Sequence, residues 1–254
     1  MKSLNAFADH APKPEWLKMF FELKEDFFTQ HSLGPNMYDV FRRFLRDAGL
    51  NEKNHFTPLA ELIYQLGWET AAAEGVILLN LAMDNRQIAW YIENLELDQI
   101  YDRKTVEDML VLHDVKPRDA RSIVKAFKRL VTTPLGTVLN FGYVSDDGSL
   151  CRTKCVVSDA RVFLYGLFKF AEKCGDYKAF TLSTLLNDSI ERDGISPTRI
   201  FGMTREEAEP MLRGLSAKYS DFIDASFTHD LEKITLAEGK SSADVLELFR
   251  TEEA

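Results

Sequence analysis

Basic side chains are concentrated between Lys116 and Arg129, where they could contact the phosphates of a nucleic acid. Such contacts release counterions and supply nearly all of the affinity of non-specific DNA binding. Apolar residues recur through the same stretch at the spacing of one helix face, so the basic residues must lie elsewhere on the helix. We expect contacts to double-stranded DNA from this helix and from a strand that follows it. The candidate residues are Lys116, Arg118, Arg121, Lys125, Lys128, Arg129, Arg152 and Lys154.

A second basic cluster consists of Arg42, Arg43 and Arg46. These side chains could contact phosphate or the acidic surface of a partner. Asp39 and Asp47 lie nearby in sequence and offer local charge balance, which is common on a solvated surface. We treat this cluster as a secondary basic patch.

The residues that usually carry catalysis or bind metals form no recognisable constellation. The cysteines Cys151, Cys155 and Cys174 match no common zinc spacing, and the five histidines are scattered. Neither a G-x-x-x-x-G-K-[ST] loop nor a G-x-G-x-x-G loop occurs. The sequence therefore predicts no catalytic residue, no metal site and no cofactor, and it gives an enzyme acting on its own no support.

The elements that must position the main basic cluster are a helix, a turn, a second helix and a hairpin. Residues 103–113 have the apolar spacing of the first helix, and the second runs from Pro117 until Thr132-Thr133-Pro134 ends it. Two alternating segments, predicted as strands at residues 137–145 and 150–158, then flank the turn-forming residues 146–149. This order predicts a winged helix, whose second helix can enter the major groove of DNA. The same order also fits a protein-docking module, and a cationic helix face can be ordinary solvated surface.

Alternation along the second strand separates its cysteines from its basic residues. Cys151, Thr153 and Cys155 should share one face, while Arg152 and Lys154 share the other. We expect the cysteines to be reduced and packed inward, with the basic pair facing DNA.

A helix–helix–helix–ribbon order occurs again towards the C-terminus. Helices are predicted at residues 160–173, from Thr181 and from Thr204, with strands at 221–227 and 232–236. In this second winged-helix-like module the corresponding helix begins with acidic residues, so it favours protein docking over phosphate. The predicted class is mainly α with small β-hairpins (α+β): a helical N-terminal segment (1–56), a helical region ending in a winged-helix-like module (57–158), and a second such module with a C-terminal helix (159–254).

Composition describes a globular protein with an acidic average. Hydrophobic residues make up 45% and charged residues 28% of 254 residues, and the formal net charge is −9. This average argues against non-specific coating of nucleic acid, although a local basic helix can still act. No apolar stretch has the length of a membrane span, and the N-terminus lacks the apolar core of a secretory signal. We predict a cytoplasmic protein without a membrane partner.

Several phrases resemble one bacterial family: SLGPNMYDVFRRFLRDAGL, TPLGTVLNFGYV, LYGLFKFAEKCGDYKAFTLSTLLN, GISPTRIFGM and LSAKYSDFIDASFTHDLEKITL. Together they are similar to the non-catalytic C-terminal region of long phosphoadenosine-phosphosulfate-reductase-like proteins, a group linked with DNA sulfur modification and defence islands. In that family an N-terminal domain with an S-G-G-x-D-S type loop carries the chemistry. This chain lacks that loop. The resemblance therefore implies a stand-alone partner subunit or a fragment, and no reductase residue carries over.

Two hypotheses follow. The first is a non-enzymatic DNA-binding or target-positioning module of a bacterial DNA-modification or defence system, acting through the basic helix. The second is a protein-docking assembly module that binds the catalytic subunit of a sulfur-transfer or defence complex.

Overall fold

The chain consists mainly of helices, with small antiparallel sheets between them. A computed structural model describes residues 4–8, 10–187, 193–228 and 232–251. The chain divides into two compact units, unit 1 (1–156) and unit 2 (157–254). The predicted class, mainly α with small β elements, is confirmed.

Helices of unit 1 often begin at a proline, because the missing N–H of proline is not needed in the first helical turn. The helices are α1 (Pro14–Leu23), α2 (Phe27–Gln30), α3 (Pro35–Asp47), α4 (Pro58–Leu66), α5 (Ala71–Asp84), α6 (Arg86–Asn94), α7 (Arg103–Leu112), α8 (Pro117–Leu130) and α9 (Pro134–Thr137). The strands are β1 (Asn51–Glu52), β2 (His55–Phe56), β3 (Ile100–Tyr101), β4 (Gly142–Val144) and β5 (Leu150–Arg152).

The apolar stripe of α1 belongs to an aromatic core. Trp16, Leu17, Phe20 and Phe21 are all buried. The ring of Phe20 lies 6.3 Å from that of Phe41 on α3, in an edge-to-face arrangement that aromatic pairs prefer. The stripe is therefore covered within unit 1.

Helix α5 is buried on most sides, as its sequence predicts. Its N-terminus is capped by Thr70, whose hydroxyl accepts a hydrogen bond from the Ala73 N–H at 3.3 Å. One carboxyl group, Glu74, is only 1% exposed in this helix. Burial, and secondarily the charge of Glu69, raises the pKa of Glu74 well above its usual range. The fold thus favours the neutral form of this side chain.

A three-stranded antiparallel sheet ends unit 1, in the order β3-β5-β4. Gly142, Tyr143 and Val144 pair with Arg152, Cys151 and Leu150, which confirms the predicted hairpin. Gly142 has no room for a side chain, because an added Cβ would lie 2.4 Å from the Tyr91 hydroxyl and 2.6 Å from the Cys151 carbonyl oxygen. A larger residue there would push the hairpin away from α6.

The sequence-based boundaries of this sheet were partly wrong. Residues 137–141 are not a strand, because the chain forms the short helix α9 after Pro134 and reaches the sheet only at Gly142. Conversely, β3 lies in a segment without a predicted strand and pairs with β5 from about fifty residues away, Ile100 with Cys151 and Tyr101 with Leu150.

Unit 2 contains a second set of helices and strands. The helices are α10 (Ala160–Lys173), α11 (Leu182–Leu186), α12 (Pro197–Phe201), α13 (Arg205–Lys218) and α14 (Ser242–Thr251). The strands are β6 (Ala179–Phe180), β7 (Ile223–Phe227) and β8 (Glu232–Leu236), in the order β6-β8-β7. The end of the helix predicted from Thr181 and the chain terminus lie outside the described residues.

The two units share an order of elements and a strand register. Each has a helix, a strand, three helices and a hairpin, and in each three-stranded sheet the first strand pairs with the last. The row Ile100–Cys151–Tyr143 of unit 1 corresponds to Ala179–Thr235–Asp224 of unit 2. One position further along, Arg152 pairs with Gly142 where Leu236 pairs with Ile223. The same framework is therefore built from different side chains.

Within the described residues, every helix is too short or too polar to cross a membrane.

Candidate nucleic-acid interface

Helix α8 presents its basic side chains on the face opposite its core. Its buried residues are Ala120, Ile123, Val124, Ala126, Phe127 and Leu130. Arg118, Arg121, Lys125 and Arg129 are exposed, Lys128 is partly exposed, and Lys116 is exposed at the N-cap. Arg121, Lys125 and Arg129 follow one another at i, i+4 spacing, so they form one ridge along the helix. The structure thus brings the predicted basic residues of this helix onto one surface.

Four cations of α8 differ from those of the neighbouring helix α7 in their ion pairing. Among the described residues, no carboxylate lies within 4.0 Å of the charged groups of Arg118, Arg121, Lys125 or Lys128. On the neighbouring helix α7, in contrast, Arg103 and Lys104 pair with Glu107 and Asp108. Like charges at i, i+4 also destabilise a helix by about 0.2–0.5 kcal/mol per pair. These four cations therefore lie near one another without ion pairs in the described part of the chain, at some cost in stability.

The basic face of α8 has a neighbour on each side. On one side, an added Cβ at Gly148, in the β4–β5 turn, would lie 3.8 Å from Lys128 Nζ. On the other side, Asn5 Nδ2 donates to Asp119 Oδ1 at 3.3 Å, and Arg129 Nη1 lies 3.5 Å from His10 Nδ1. The basic ridge therefore lies between the hairpin turn and an N-terminal segment.

The hairpin turn is tied together by short hydrogen bonds. Asp147 Oδ1 accepts from the Ser145 hydroxyl at 2.6 Å and from the Ser149 N–H at 3.0 Å. These bonds, led by that from Ser145, lower the pKa of Asp147 below its usual range. The turn thus carries the carboxylates of Asp146 and Asp147, which would repel phosphate rather than bind it.

The prediction that Arg152 faces DNA is wrong. Its side chain is 6% exposed, and Nη1 donates to the carbonyl oxygens of Ile92 at 2.7 Å and of Leu95 at 3.0 Å. These carbonyls lie at the C-terminal end of α6, where backbone acceptors lack helical partners and a positive charge is favourable. Arg152 therefore fixes β5 to α6. The alternation rule failed because both faces of β5 are buried.

Lys154 is exposed, but it lies beyond the end of β5. The cysteines are buried, with Cys151 2% and Cys155 6% exposed. Burial raises the pKa of the Cys155 thiol to about 12. Both cysteines are free, and among the described residues no group of three or more His, Cys, Asp or Glu side chains could hold a metal ion.

The secondary basic patch lies on α3, where the expected local charge balance is confirmed. Arg42 Nη2 lies 3.7 Å from Asp39, and Arg46 Nη2 lies 2.9 Å from Asp47. Arg43 Nη1 donates to the Ala6 carbonyl oxygen at 2.7 Å. The three arginines line one side of a polar cleft, which the sequence did not predict.

Helix α13 is the 14-residue helix between the first strand and the hairpin of the unit 2 sheet, as α8 is in unit 1, but the charges of α13 are engaged locally. Glu207 Oε2 accepts from the Thr204 N–H at 3.0 Å, which completes a capping box. Glu209 pairs with Arg213 at 2.8 Å. These acidic residues thus stabilise the helix itself. Whether this face also docks a protein stays a prediction.

No protein-family model, curated protein or solved structure matches this chain.

Proposed function

We propose that unit 1 binds the phosphate backbone of double-stranded DNA through the basic face of α8. The observation that supports this is a row of four cations on the exposed side of a helix, Arg118, Arg121, Lys125 and Lys128, which have no carboxylate within 4.0 Å among the described residues. The formal net charge of the whole chain is −9. Phosphates would supply the missing counter-charge. Lys116, Arg129 and Lys154 would add contacts at the margins.

We further propose that both units are winged-helix-like modules. The order helix, strand, three helices and hairpin, and the pairing of the first strand of each sheet with the last, support this proposal. In such modules the second helix of the helix-turn-helix can enter the major groove. The acidic β4–β5 turn and buried Arg152 leave α8, rather than the hairpin, as the main contact.

The resemblance to the phosphoadenosine-phosphosulfate-reductase-like group suggests the setting. In this proposal the protein is a cytoplasmic, non-enzymatic DNA-binding or target-positioning component of a bacterial DNA-modification or defence system. It would place DNA before a catalytic subunit.

Fluorescence anisotropy with a labelled duplex, measured across a salt series, tests the proposal. Each phosphate contact contributes about 0.9 to the slope of log affinity against log salt concentration. The double change Arg121→Gln with Lys125→Gln should weaken binding and lower that slope by about 2. The matched control, Arg213→Gln with Lys218→Gln on α13, removes the same charge and should leave both unchanged. An absence of binding at low salt, or equal effects of both pairs, would contradict the proposal.

The second candidate function is protein docking, supported by an apolar row on the unit 1 sheet. Ile100 and Tyr143 flank the buried Cys151 on one face and are 51% and 44% exposed. At the corresponding positions unit 2 has Ala179 and Asp224. Under this proposal the row contacts the catalytic subunit of a sulfur-transfer or defence complex. Co-purification with products of neighbouring genes, lost on Ile100→Asp with Tyr143→Asp but retained on Ala179→Asp, is the expected result.

A further inference from the structure

A cleft of about 500 Å³ lies between the exposed side of α3 and the turn of the β1–β2 hairpin. Four cationic side chains line it, namely Arg42, Arg43, Arg46 and Lys53, against one carboxylate, Asp39. Its volume is within the range of small-molecule sites, about 300–1,000 Å³. All of its lining residues belong to unit 1, and none belongs to α8.

Two arginines in the cleft are held in place by a buried carboxylate or a backbone carbonyl. Most of their N–H donors have no partner among the described residues. Arg46 donates through Nε and Nη2 to Asp47 Oδ1, at 3.0 and 2.9 Å, and Asp47 is only 4% exposed. Arg43 uses Nη1 for the Ala6 carbonyl oxygen. Since a guanidinium has five N–H donors, each side chain can still donate to an oxyanion. Guanidinium groups held in place in this way suit bidentate recognition of a phosphate group.

The remaining cations are available because their present partners are weak or absent. The polar contacts of Arg42 with described residues are long, 3.7 Å to Asp39 and 3.5 Å to Asn54 Oδ1, and its guanidinium lies over the Tyr38 ring at 5.6 Å. The Asp39 side chain is 65% exposed. An exposed pair of this kind contributes about 0–1 kcal/mol. Lys53 and Asn54 occupy the two turn positions with φ of 51° and 64°, as a tight two-residue hairpin requires. The turn thus fixes the backbone from which Lys53 reaches the cleft.

A buried hydrogen-bond acceptor without a partner among the described residues also lines the cleft. Asn51 lines the cleft, is 6% exposed, and its Oδ1 has no hydrogen-bond partner within the described part of the chain. Buried polar atoms are nearly always hydrogen-bonded, so this amide points to a ligand that carries a donor such as a hydroxyl group.

We propose that the cleft binds a phosphate monoester, with the phosphate among the arginines and Lys53 and a hydroxyl or amino group of the same ligand against Asn51. This chemistry occurs in a free nucleotide and at the 5′-phosphorylated end of a DNA strand. The site is separate from the α8 surface and does not depend on it.

Isothermal titration with adenosine 5′-monophosphate and with a 5′-phosphorylated trinucleotide, each against its unphosphorylated counterpart, tests the proposal. We expect the phosphate group to be required for binding. Preference for the free nucleotide identifies a nucleotide site, and preference for the trinucleotide identifies a site for strand ends. Equal binding of phosphorylated and unphosphorylated probes, or equal binding of citrate, would overturn the proposal.

Variants of the cleft give effects of opposite sign. Arg42→Gln with Lys53→Gln should weaken adenosine 5′-monophosphate binding at least about tenfold, the loss expected for one charge-assisted hydrogen bond. Asp39→Asn should tighten it, because the lining carboxylate is removed.

Lys18→Gln, an exposed cation on α1, is the control and should change nothing. Arg121→Gln with Lys125→Gln should also leave this binding intact, so failure of the cleft and failure of the α8 surface are distinguishable. Weaker binding by Asp39→Asn, with circular dichroism unchanged, would contradict a phosphate site.

Discussion

Helices α8 and α13 are the 14-residue helices that precede the hairpins of the two units, yet their charged residues are used in opposite ways. On α13, Glu207 caps the N-terminus and Glu209 pairs with Arg213. On α8, the N-cap is Lys116, which makes no side-chain cap, and Arg118, Arg121, Lys125 and Lys128 have no carboxylate within 4.0 Å in the described part of the chain. Helix α13 therefore uses its charges for its own stability, whereas the basic side chains of α8 are left available to a partner.

The largest expected effect concerns the register position that holds Arg152 in unit 1 and Leu236 in unit 2. We predict that Arg152→Leu lowers the free energy of unfolding of unit 1 by about 3 kcal/mol, since two buried carbonyls of α6 lose their donor at about 1–3 kcal/mol each. Trp16, Trp68 and Trp90 all lie in unit 1, so tryptophan fluorescence during urea denaturation reports this unit alone. Lys154→Leu is the exposed control. A loss below about 1 kcal/mol would show that a leucine serves this position equally well in both units.

A smaller expected effect is a pH dependence of the stability of unit 1. Because burial raises the folded-state pKa of Glu74, its contribution to stability is fully present below the unfolded pKa near 4.5 and is lost as pH rises towards the folded pKa. The slope can reach about 1.4 kcal/mol per pH unit. We predict that Glu74→Gln flattens this decline in the tryptophan-reported transition and stabilises unit 1 at neutral pH. An unchanged pH profile would contradict the buried-carboxyl account.

The smallest predicted effect concerns the N-cap of α8, where a lysine stands in place of a capping side chain. Lys116→Ser should stabilise unit 1 by about 1 kcal/mol, the usual contribution of a good N-cap, while weakening duplex binding through the lost charge. Thr204→Ala, in which α13 loses its cap, should destabilise unit 2 by a similar amount, measured by circular dichroism. A Lys116→Ser protein that gains stability and loses duplex affinity would support the contrast between the two helices. A Lys116→Ser protein that loses stability would contradict it.

Local patterns were sufficient to predict the long helices and the strands β7 and β8, but not the short helix α9. The spacing of Ile123, Phe127 and Leu130 predicted α8, and the apolar run from Ala160 predicted α10 with the bounds that the structure has. Both signals arise within one element, so they can be read without knowing the partners of that element.

What the sequence could not show depends on distant partners. Strands β3 and β6 have two residues each, too few for an alternating pattern, and exist because β5 and β8 pair with them. The interpretation of Arg152 failed for the same reason: its burial is set by carbonyls about sixty residues earlier. The cleft on α3 combines a helix with a separate hairpin turn, so the sequence indicated its arginines but not its shape.

The outer strands of the unit 1 sheet have a consequence for association between molecules. Strands β3 and β4 are two and three residues long and form the two edges of that sheet. An edge offers unpaired N–H and C=O groups to a strand from another molecule, and very short edge strands limit that risk of aggregation. Edges this short offer little template for edge-to-edge pairing, so the exposed Ile100 and Tyr143 can remain on the surface without recruiting further strands.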